Sequence, residues 1–496
     1  MGKTAVKTHN AEAVAWAAIP SLEIEALYSH ITNRVKAGQR LLALTGMRQG
    51  EGGVDTLVVL ADDQSGTLKL LRSTLCNGYP SLTPRCPQAH YFERELYEQW
   101  GIHPEGHPWL KPVRFPPGDG RPPVGCPDFF EVRGEEVHEV GVGPVHAGII
   151  EPGHFRFSCH GERILHLEIS LGYQHRGLEK ALPGGPDKRT QPYMETATGD
   201  SSVAHTLAYC QLIEALSGLR CSPDSERLRA VALELERLAN HVGDLGAMSG
   251  DVGFLPTASF CGGLRGDLLN LTAMLCGNRL GRGLLRPGGL YYTPGLALLT
   301  DLRARLRTIH KATRSAVDLL WRSSSVRMRF DEVGILDPAD AQALGMVGPV
   351  ARASGIARDV RHDHALGAYR DLSFEIPVGT EGSVFSRAMQ RWLEIEQSAQ
   401  FIDAWLDDPG MTECLVLEGP ARLAPGQLLV SLVEGWRGEV CHIALTGDDG
   451  HFVRYRIIDP SFHNWYGLAV AMRGQAILDF PICNKSFNLS YCGHDL

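Results

Sequence analysis

The chain has 496 residues, long enough for two or three domains that each bury a core of their own. Apolar residues make up 44% and charged residues 21%, as in an ordinary soluble protein, and the net charge of −9 argues against binding of nucleic acid. No apolar run reaches the roughly 18 residues of a membrane-spanning helix, and the N-terminal residues lack the pattern of a signal peptide. We therefore expect a cytoplasmic protein that reaches a membrane only through partners.

Twelve cysteines are spread along the chain. None of them forms a Cys-x-x-Cys pair, and none lies at the spacing that holds zinc or an iron–sulfur cluster. In a reducing compartment, scattered cysteines are usually small buried apolar residues. The cysteine pattern predicts that this polypeptide binds no metal cluster of its own.

Residues 1–115 predict a small α+β domain. A helix is expected over Glu23–Lys36, followed by alternating strands over Arg40–Met47, Gly53–Ala61 and Thr67–Leu75. The domain closes with an amphipathic helix in HYFERELYEQW, which should end at a glycine. The predicted apolar face of this helix consists of Phe92, Leu96, Tyr97 and Trp100. The predicted polar face consists of Glu93, Arg94, Glu95 and Glu98.

Residues 116–138 are rich in proline and glycine and are interpreted as a linker between two domains. Residues 139–496 are then expected to form a large, mainly α domain with small β elements. Its predicted helices lie at Ser222–Gly246, Leu264–Leu280, Pro294–Leu320 and Gly382–Asp407. Its predicted late strands lie at Leu428–Val433, Val440–Thr446 and His451–Ile458.

The stretch from Gly141 to His205 concentrates histidines, two glycine-rich bends and an Arg-Gly-Leu-Glu turn. Histidines gathered on loops indicate a functional site, although each imidazole taken singly is better explained by a hydrogen bond within a turn. The motifs GPVHAGIIEPGHFRF and GYQHRGLEK resemble the large catalytic subunit of membrane-bound, energy-converting [NiFe] hydrogenases. They also resemble the homologous 49-kDa, quinone-site subunit of respiratory complex I. The earlier motif ERELYEQWGIHPEGH resembles the 30-kDa subunit of complex I.

The resemblance to hydrogenases implies four cysteine thiolates that hold nickel and iron. The matching positions are occupied here by Thr198, Ser201, Ser490 and Gly493, and Cys492 lies one residue from its expected place. Because hydroxyl groups are poor ligands for nickel, the resemblance implies a retained fold without the metal. In complex I the corresponding cavity receives a quinone headgroup. Quinone is therefore a candidate ligand, although the tyrosine of that family's site is missing from this segment.

The resemblance also implies roles for five residues. Arg176 would approach a [4Fe–4S] cluster on a partner subunit, and Glu179 would pass protons. His146 and His205 would be catalytic residues of the cavity, and His241 would lie beside the partner's cluster. The alternatives are a local pair of Arg176 and Glu179 on one helical turn, and a core histidine at position 241 that is satisfied by hydrogen bonds.

The segment RASGIARDVRHDHALGAYR resembles the hydrogenase pattern RGSGxARDLRxDHPY. The resemblance implies a buried charge network near the cavity, made by Arg358, Asp359, Arg361, Asp363 and His364. Buried ion networks require that every member is paired, so they mark either a specific site or a rigid structural seam. The structural seam is the slightly favoured interpretation.

These resemblances together imply an oxidoreductase subunit of a complex-I-like assembly on the inner face of the cell membrane. It would pass electrons from the partner's [4Fe–4S] cluster to an acceptor, with quinone as one candidate, coupled to proton translocation. The expected partners are an iron–sulfur small subunit, a ferredoxin-like subunit and antiporter-like membrane subunits. Two alternatives stay open: a true [NiFe] hydrogenase with substituted ligands, and a non-catalytic scaffold subunit. No dinucleotide-binding motif is present, so NADH would bind another subunit.

Overall fold

The computed structural model of the chain describes residues 5–50, 52–116, 123–148, 150–407 and 422–496. Strands and helices occur in separate runs along these residues, and the chain is an α+β protein. The strands are β1 Val6–Thr8, β2 Val14–Ala15, β3 Arg40–Gly50, β4 Gly53–Asp62, β5 Thr67–Leu75, β6 Gly78–Pro80, β7 His103–Glu105, β8 Val137–Val142, β9 His154–His160, β10 Arg163–Ser170, β11 Leu285–Arg286, β12 Gly289–Leu290, β13 Gln427–Gly435, β14 Gly438–Thr446 and β15 Phe452–Ile458.

The helices are α1 Ile24–Lys36, α2 His90–Trp100, α3 Thr190–Glu195, α4 Ser202–Ser217, α5 Pro223–Asp251, α6 Leu255–Cys276, α7 Leu296–Arg322, α8 Ser324–Phe330, α9 Pro338–Leu344, α10 Gly348–Ala353, α11 Val360–Asp363, α12 Val384–Trp405, α13 Pro460–Ala471, α14 Phe480–Phe487 and α15 Tyr491–His494. Short 3-10 helices lie at Trp16–Ala18, Pro87–Ala89, Leu178–Ala181, Gly367–Asp371 and Ile477–Asp479. Within the described residues, no helix combines the length and the apolar character needed to cross a membrane.

The N-terminal sheet is antiparallel, with strand order β1–β5–β4–β3. The three strands predicted from alternation are confirmed, and β3 extends to Gly50, beyond the predicted end at Met47. Residues Leu57–Ala61 of β4 are all buried, so the sheet is covered on both faces. Helices α1 and α2 contact this sheet, and β15 from the second half of the chain contacts β3. A single hydrophobic core therefore spans the two halves.

Helix α2 differs from the expected amphipathic helix with one polar face. Its polar residues Glu93, Arg94, Glu95 and Glu98 are buried, whereas Tyr97 of the predicted apolar face is 39% exposed. The buried carboxylates have partners: Glu93 accepts hydrogen bonds from the loop that precedes the helix, and Glu98 accepts from the backbone that follows it. The helix ends at Gly101, as predicted, with φ of 73°.

Two further sheets belong to the second half of the chain. Strands β10, β9 and β8 form one antiparallel sheet. His154 and His160 therefore lie on a strand, and not on the loops that the sequence predicted for the histidines. The late strands are confirmed as an antiparallel sheet in the order β15–β14–β13–β2. Strand β2, which comes from the N-terminal residues, pairs with β13 and so joins the two halves.

The long helices α5 and α6 form the centre of the second half, together with α12. Helix α5 begins at Ser222, as predicted, where the side-chain oxygen accepts from the Ser225 N–H. It passes the predicted end at Gly246, because that glycine is a contact point: a Cβ atom there would lie 2.8 Å from the Cβ of Cys261 on α6. Helix α6 begins at Leu255, earlier than the predicted Leu264.

The predicted linker, residues 116–138, lies in part outside the described residues. Residues 123–136 contain no helix or strand, and β8 begins at Val137, one residue before the expected end of the linker at residue 138. The domain boundaries at residues 115 and 139 stay a prediction.

Candidate functional site

Three segments meet at one place in the fold, which we call the loop junction: residues 143–148 with 150–153, residues 196–201, and residues 488–495, which include α15. The Tyr491 N–H donates to Glu151 over 3.1 Å. The Cys492 thiol contacts both the Glu151 carboxylate and the Gly199 backbone. Arg437 joins two of these segments. Its guanidinium donates to the carboxylate of Asp200, in residues 196–201, and to the backbone carbonyl of Asn488, in residues 488–495.

The four positions at which hydrogenases hold nickel lie at this junction. The Thr198 hydroxyl is buried and has no hydrogen-bond partner among the described residues, and Ser201 is buried at the start of α4. The Ser490 hydroxyl is engaged in capping α15, where it accepts the Gly493 N–H over 2.9 Å. A Cβ atom on Gly493 would lie 2.6 Å from the Asp459 carboxylate carbon. A cysteine does not fit at that position, and the residues present do not fit a nickel centre.

The nearest thiol does not replace the missing ligands. Cys492 is partly buried, and burial together with Glu151 raises the pKa of its thiol to about 12. At neutral pH it is therefore a thiol and not the thiolate that binds metal. Among the described residues, no group of three or more histidine, cysteine, aspartate or glutamate side chains is arranged to hold a metal ion.

His205 lies beneath the junction as part of a buried chain of four side chains, which we call the His205 chain. Its Nε2 lies 3.3 Å from Asp459 Oδ2, and its Nδ1 lies 3.0 Å from Nε2 of His442. The Nδ1 of His442 lies 2.8 Å from the Tyr455 hydroxyl. All four side chains are buried. Sequence reasoning found only His205 of these four.

Glu179 lies in a different environment from the one expected of a proton carrier. Its carboxylate accepts from Arg456 over 2.7 Å and from the Ile457 N–H over 2.9 Å, and Arg454 lies 3.5 Å away. Burial alone would raise the pKa of Glu179, but Arg456, Arg454 and Arg114 outweigh it and lower the pKa below its ordinary value. Glu179 is thus an ion-paired carboxylate, beside a cavity of about 220 Å³. Its role in proton transfer stays a prediction.

Arg176 and His146 both stabilise loops of the junction. Arg176 is exposed and donates to the carbonyls of Thr196 and Ala197, over 2.9 and 2.7 Å, so it does not pair with Glu179. His146 is half-buried, and its Nε2 lies 2.9 Å from the Gly153 carbonyl. Both residues are positioned at the junction, and their predicted functions are not decided by these contacts.

His241 lies inside the helices and not at the surface. It is fully buried, and its Nε2 lies 2.9 Å from Glu394, while Nδ1 has no hydrogen-bond partner. Glu394 also accepts from Arg352 over 2.9 Å, and Arg352 donates to Glu434 over 2.7 Å. The imidazole is therefore part of a buried ion network, which we call the central network.

The residues from Arg358 to His364 divide between two clusters. Asp359 and Arg361 belong to the central network, because Arg361 binds Asp359 over 2.7 Å and reaches Glu234 over 3.2 Å. Arg358 and His364 instead bind the same carboxylate, Asp63, of the N-terminal half.

Asp363 is half-buried and accepts from the Asp359 N–H over 3.0 Å, so it closes a local turn. The cluster around Asp63 also contains Arg40, which in turn donates to Glu439 of β14 over 2.7 Å. The segment from Arg358 to His364 therefore has two roles in the packing. Arg358 and His364 join the two halves of the chain, and Asp359 and Arg361 belong to the central network.

Glu236 of α5 is a site residue that sequence reasoning missed. Its carboxylate accepts from the N–H groups of Val203 and Ala204, at the start of the helix that carries His205. Burial raises the pKa of Glu236 to about 8, although these two N–H groups oppose the shift. Helix α5 carries charged residues along much of its length, so nothing in the sequence distinguished Glu236 from its neighbours.

We expect the stabilising effect of Glu236 to decrease as the pH rises. Because its pKa in the folded chain is about 8 and its ordinary value is 4.5, the folded chain holds an extra proton between these two pH values. The free energy of unfolding of the wild type, relative to Glu236→Gln, should fall from about pH 4.5 to about pH 8 and then level off. Urea titrations of both proteins across this range measure the difference, and a difference independent of pH would contradict the account.

The comparisons with known proteins agree with this architecture. Residues 19–123 match the family described as the 30 Kd subunit of the respiratory-chain NADH dehydrogenase, and residues 251–416 match its 49 Kd subunit. The chain is 30% identical over 435 residues to formate hydrogenlyase subunit 5 of Escherichia coli (strain K12), covering 83% of this chain and 76% of that protein.

Other relatives include both hydrogenases and NADH-quinone oxidoreductases. The carbon monoxide-induced hydrogenase of Rhodospirillum rubrum is 29% identical over 352 residues, covering 71% of this chain and 97% of that protein. The C/D subunit of NADH-quinone oxidoreductase from Bdellovibrio bacteriovorus is 26% identical over 344 residues, covering 64% of this chain and 60% of that protein. The resemblance found in the sequence is confirmed: the chain belongs to the family of the complex I 49-kDa subunit and the related hydrogenase large subunits, with a 30-kDa-type domain in the same polypeptide.

Proposed function

We propose that this chain is the electron-transfer subunit of a membrane-associated, complex-I-like oxidoreductase. Electrons from a [4Fe–4S] cluster on a partner subunit reduce an acceptor at the loop junction. The observation that carries the proposal is the contact of Gly493 with Asp459, which leaves no room for a cysteine at a position where nickel would need one. The family membership supports an oxidoreductase, and the absence of nickel ligands at the junction favours an electron acceptor other than protons.

Quinone is the acceptor that suits the junction best. The exposed apolar side chains Val145 and Ile150 lie on the same loop as His146 and offer a surface for an apolar ring. The buried Thr198 hydroxyl has no partner among the described residues, so its proton is available to a carbonyl oxygen of a ligand. A quinone provides both an apolar ring and two such oxygens.

The partners follow from this function. The exposed Arg176 places a positive charge at the outer side of loop 196–201, where a cluster-bearing small subunit would dock. A ferredoxin-like subunit would supply its electrons, and antiporter-like membrane subunits would use the released energy to translocate protons. The chain would then lie on the cytoplasmic face of the membrane. The central network, with Glu434 at a pKa raised to about 7 by burial and by Asp359, would transmit changes in charge.

The proposal is tested on the intact complex, purified with its partner subunits. We expect electron transfer from the reduced cluster to a soluble quinone analogue, and no hydrogen evolution. The variant Thr198→Val keeps the shape of the side chain and removes the hydroxyl, so it should raise KM for the quinone. An intact complex that transfers no electrons to quinones would contradict the proposal.

A scaffold without catalysis is the second candidate, and the ion pairs of Glu179 favour it. A carboxylate that is paired with Arg456 and Arg454 is what a structural contact between two segments requires. The variants His146→Ala and Glu179→Gln separate the two candidates when assembly and turnover are both measured. Unchanged turnover in an assembled complex supports the scaffold, and lost turnover in an assembled complex supports the redox role.

A further inference from the structure

We propose that the chain has a second ligand site, a cavity between its two halves that binds a flat aromatic carboxylate of one or two rings. This aromatic cavity has a volume of about 470 Å³, and none of the described residues that line it belongs to the loop junction. His90 and Trp109 line it from the N-terminal half, and Tyr466, Val470 and Arg473 line it from α13 and the turn that follows. The proposal goes beyond electron transfer and does not depend on the acceptor.

Aromatic side chains form much of the wall of the aromatic cavity. The ring centroids of Trp109 and Tyr466 lie 5.7 Å apart, and those of Phe130 and His166 lie 4.9 Å apart. The Phe130 side chain is exposed, so its ring is free to contact a ligand. Small-molecule sites typically combine such aromatic walls with a few polar groups, and aromatic rings pack well against one another.

The position of Trp109 is fixed by its neighbours. Its backbone N–H donates to Nδ1 of His107 over 3.0 Å, and Nε2 of His107 lies 3.2 Å from the backbone carbonyl of His90. The Arg94 guanidinium lies 4.2 Å from the centre of the Trp109 ring and donates to two backbone carbonyls of the following loop. A wall that is already ordered loses little conformational freedom when a ligand binds.

The imidazole of His90 is a buried polar group that a ligand could satisfy. His90 is only 8% exposed, and its ring has no hydrogen-bond partner among the described residues. Burial, followed by the nearby charge of Arg94, holds the pKa of His90 well below its usual range, so the ring is neutral. A neutral imidazole offers one donor and one acceptor, and buried polar groups are nearly always paired. A ligand hydroxyl would supply the missing partner.

Two guanidinium groups give the cavity a preference for anions. Arg473 is exposed and donates to the Tyr466 hydroxyl over 3.3 Å, and Arg94 lies against the Trp109 ring. Neither arginine has a carboxylate within ion-pair distance in the described part of the chain. One exposed carboxylate, that of Asp340, also lines the cavity. Two positive charges against one negative charge favour a carboxylate on the ligand.

Tyr466 sets the length of the ligand. Its ring centroid lies 5.1 Å from that of the buried His90, and its hydroxyl lies 3.3 Å from the exposed Arg473. A flat ligand that lies along Tyr466 therefore has one end near His90 and the other near Arg473. An aromatic acid of one or two rings, with its carboxylate at Arg473, spans this distance.

The first test measures binding to the purified full chain by calorimetric titration, with 2-naphthoate as the probe and 2-naphthamide as its uncharged counterpart. Naphthoate should occupy one site per chain and bind about tenfold more tightly than naphthamide. Ala343 is exposed on α9 and lines the cavity, so Ala343→Phe should fill the opening and abolish binding. The neighbouring Gln342 is exposed and does not line the cavity, so Gln342→Phe should bind as the wild type does.

The second test changes the charges around the cavity. Binding of naphthoate should weaken about tenfold in Arg473→Gln and strengthen about threefold in Asp340→Asn. It should stay unchanged in Arg305→Gln, which removes an exposed arginine of α7 that pairs with Asp301. Naphthamide should respond to none of these three changes.

The third test concerns His90. The added hydroxyl of 6-hydroxy-2-naphthoate should strengthen binding to the wild type and not to His90→Phe, whose folding is checked by circular dichroism. No binding of naphthoate to the wild type, or undiminished binding to Ala343→Phe, would overturn the site. Equal binding of naphthoate and naphthamide would overturn the choice of a carboxylate. None of these measurements involves electron transfer, so a complex that does not reduce quinone would contradict the proposed function alone.

Discussion

Replacement of Glu394 by alanine is expected to destabilise the chain by about 3–5 kcal/mol. This carboxylate is fully buried and is shared by three cationic or polar groups, Arg352, His241 and Arg237. Their combined attraction outweighs burial and holds the pKa of Glu394 well below its usual range. Without it, two buried guanidinium groups lose a counter-charge in a place that water does not reach. Urea unfolding followed by circular dichroism measures the loss.

The matched control is Glu396→Ala, two residues further along the same helix. Glu396 pairs with His310 and Arg314, but its side chain is 19% exposed and that of Arg314 is 54% exposed. Because solvent screens such pairs, we expect a loss of about 1 kcal/mol or less. Equal losses in the two variants would show that the central network contributes no more than a surface ion pair.

The variant Gly493→Ala is expected to disable the site while the chain stays folded. The added methyl group would lie 2.6 Å from the Asp459 carboxylate carbon, so Asp459 must move and its contact with His205 must lengthen. Overpacking of this kind costs about 1–3 kcal/mol. Acceptor reduction should fall on the order of 10²-fold, because a shift of about 1 Å in the carboxylate that holds His205 disturbs the geometry of the site. The turnover of the assembled complex and the unfolding midpoint are measured together.

The control for this variant is Gly262→Ala on α6. No heavy atom lies within 4 Å of a Cβ atom added there, and the position is helical, where alanine is preferred to glycine. Turnover and stability should both stay at or above the wild-type values. If Gly493→Ala behaved like Gly262→Ala, the close contact with Asp459 would have no functional importance.

Much of the fold could be predicted from local patterns. The strands β3 to β5 and β13 to β15 alternate clearly, and Ser222 followed by proline marked the start of α5. The helix ends were less predictable, because a glycine can end a helix or allow a close contact. Gly246 allows a close contact between α5 and α6, so α5 continues beyond it. This role of Gly246 depends on the position of α6 and is not visible in the local sequence.

Only those residues of the candidate site that belong to a contiguous sequence motif could be predicted. The positions of Thr198, Ser201, Ser490 and Gly493 followed from the resemblance, and so did His205. The partners of His205 did not: His442 and Asp459 are 237 and 254 residues away in sequence, in the middle of β14 and at the start of α13. Such contacts depend on tertiary packing, and no local spacing indicates them.

The buried polar residues of α2 were a second failure of local patterning. Their arrangement is that of a solvated helix face, and they are buried because the second half of the chain covers them. Glu95 there binds Arg456 of β15 over 2.5 Å, and Arg456 also binds Glu179. Ion pairs with a distant segment bury a charged helix face inside the protein. The periodicity of the sequence is the same for such a buried face as for a face exposed to water, so it cannot distinguish the two.

Metal analysis of the purified complex tests the central claim most directly. If hydroxyl groups and a glycine have replaced the sulfur ligands, the preparation should contain the iron of its partner's cluster and no nickel above background, while it reduces quinone. Stoichiometric nickel in the chain, together with hydrogen evolution, would contradict the account.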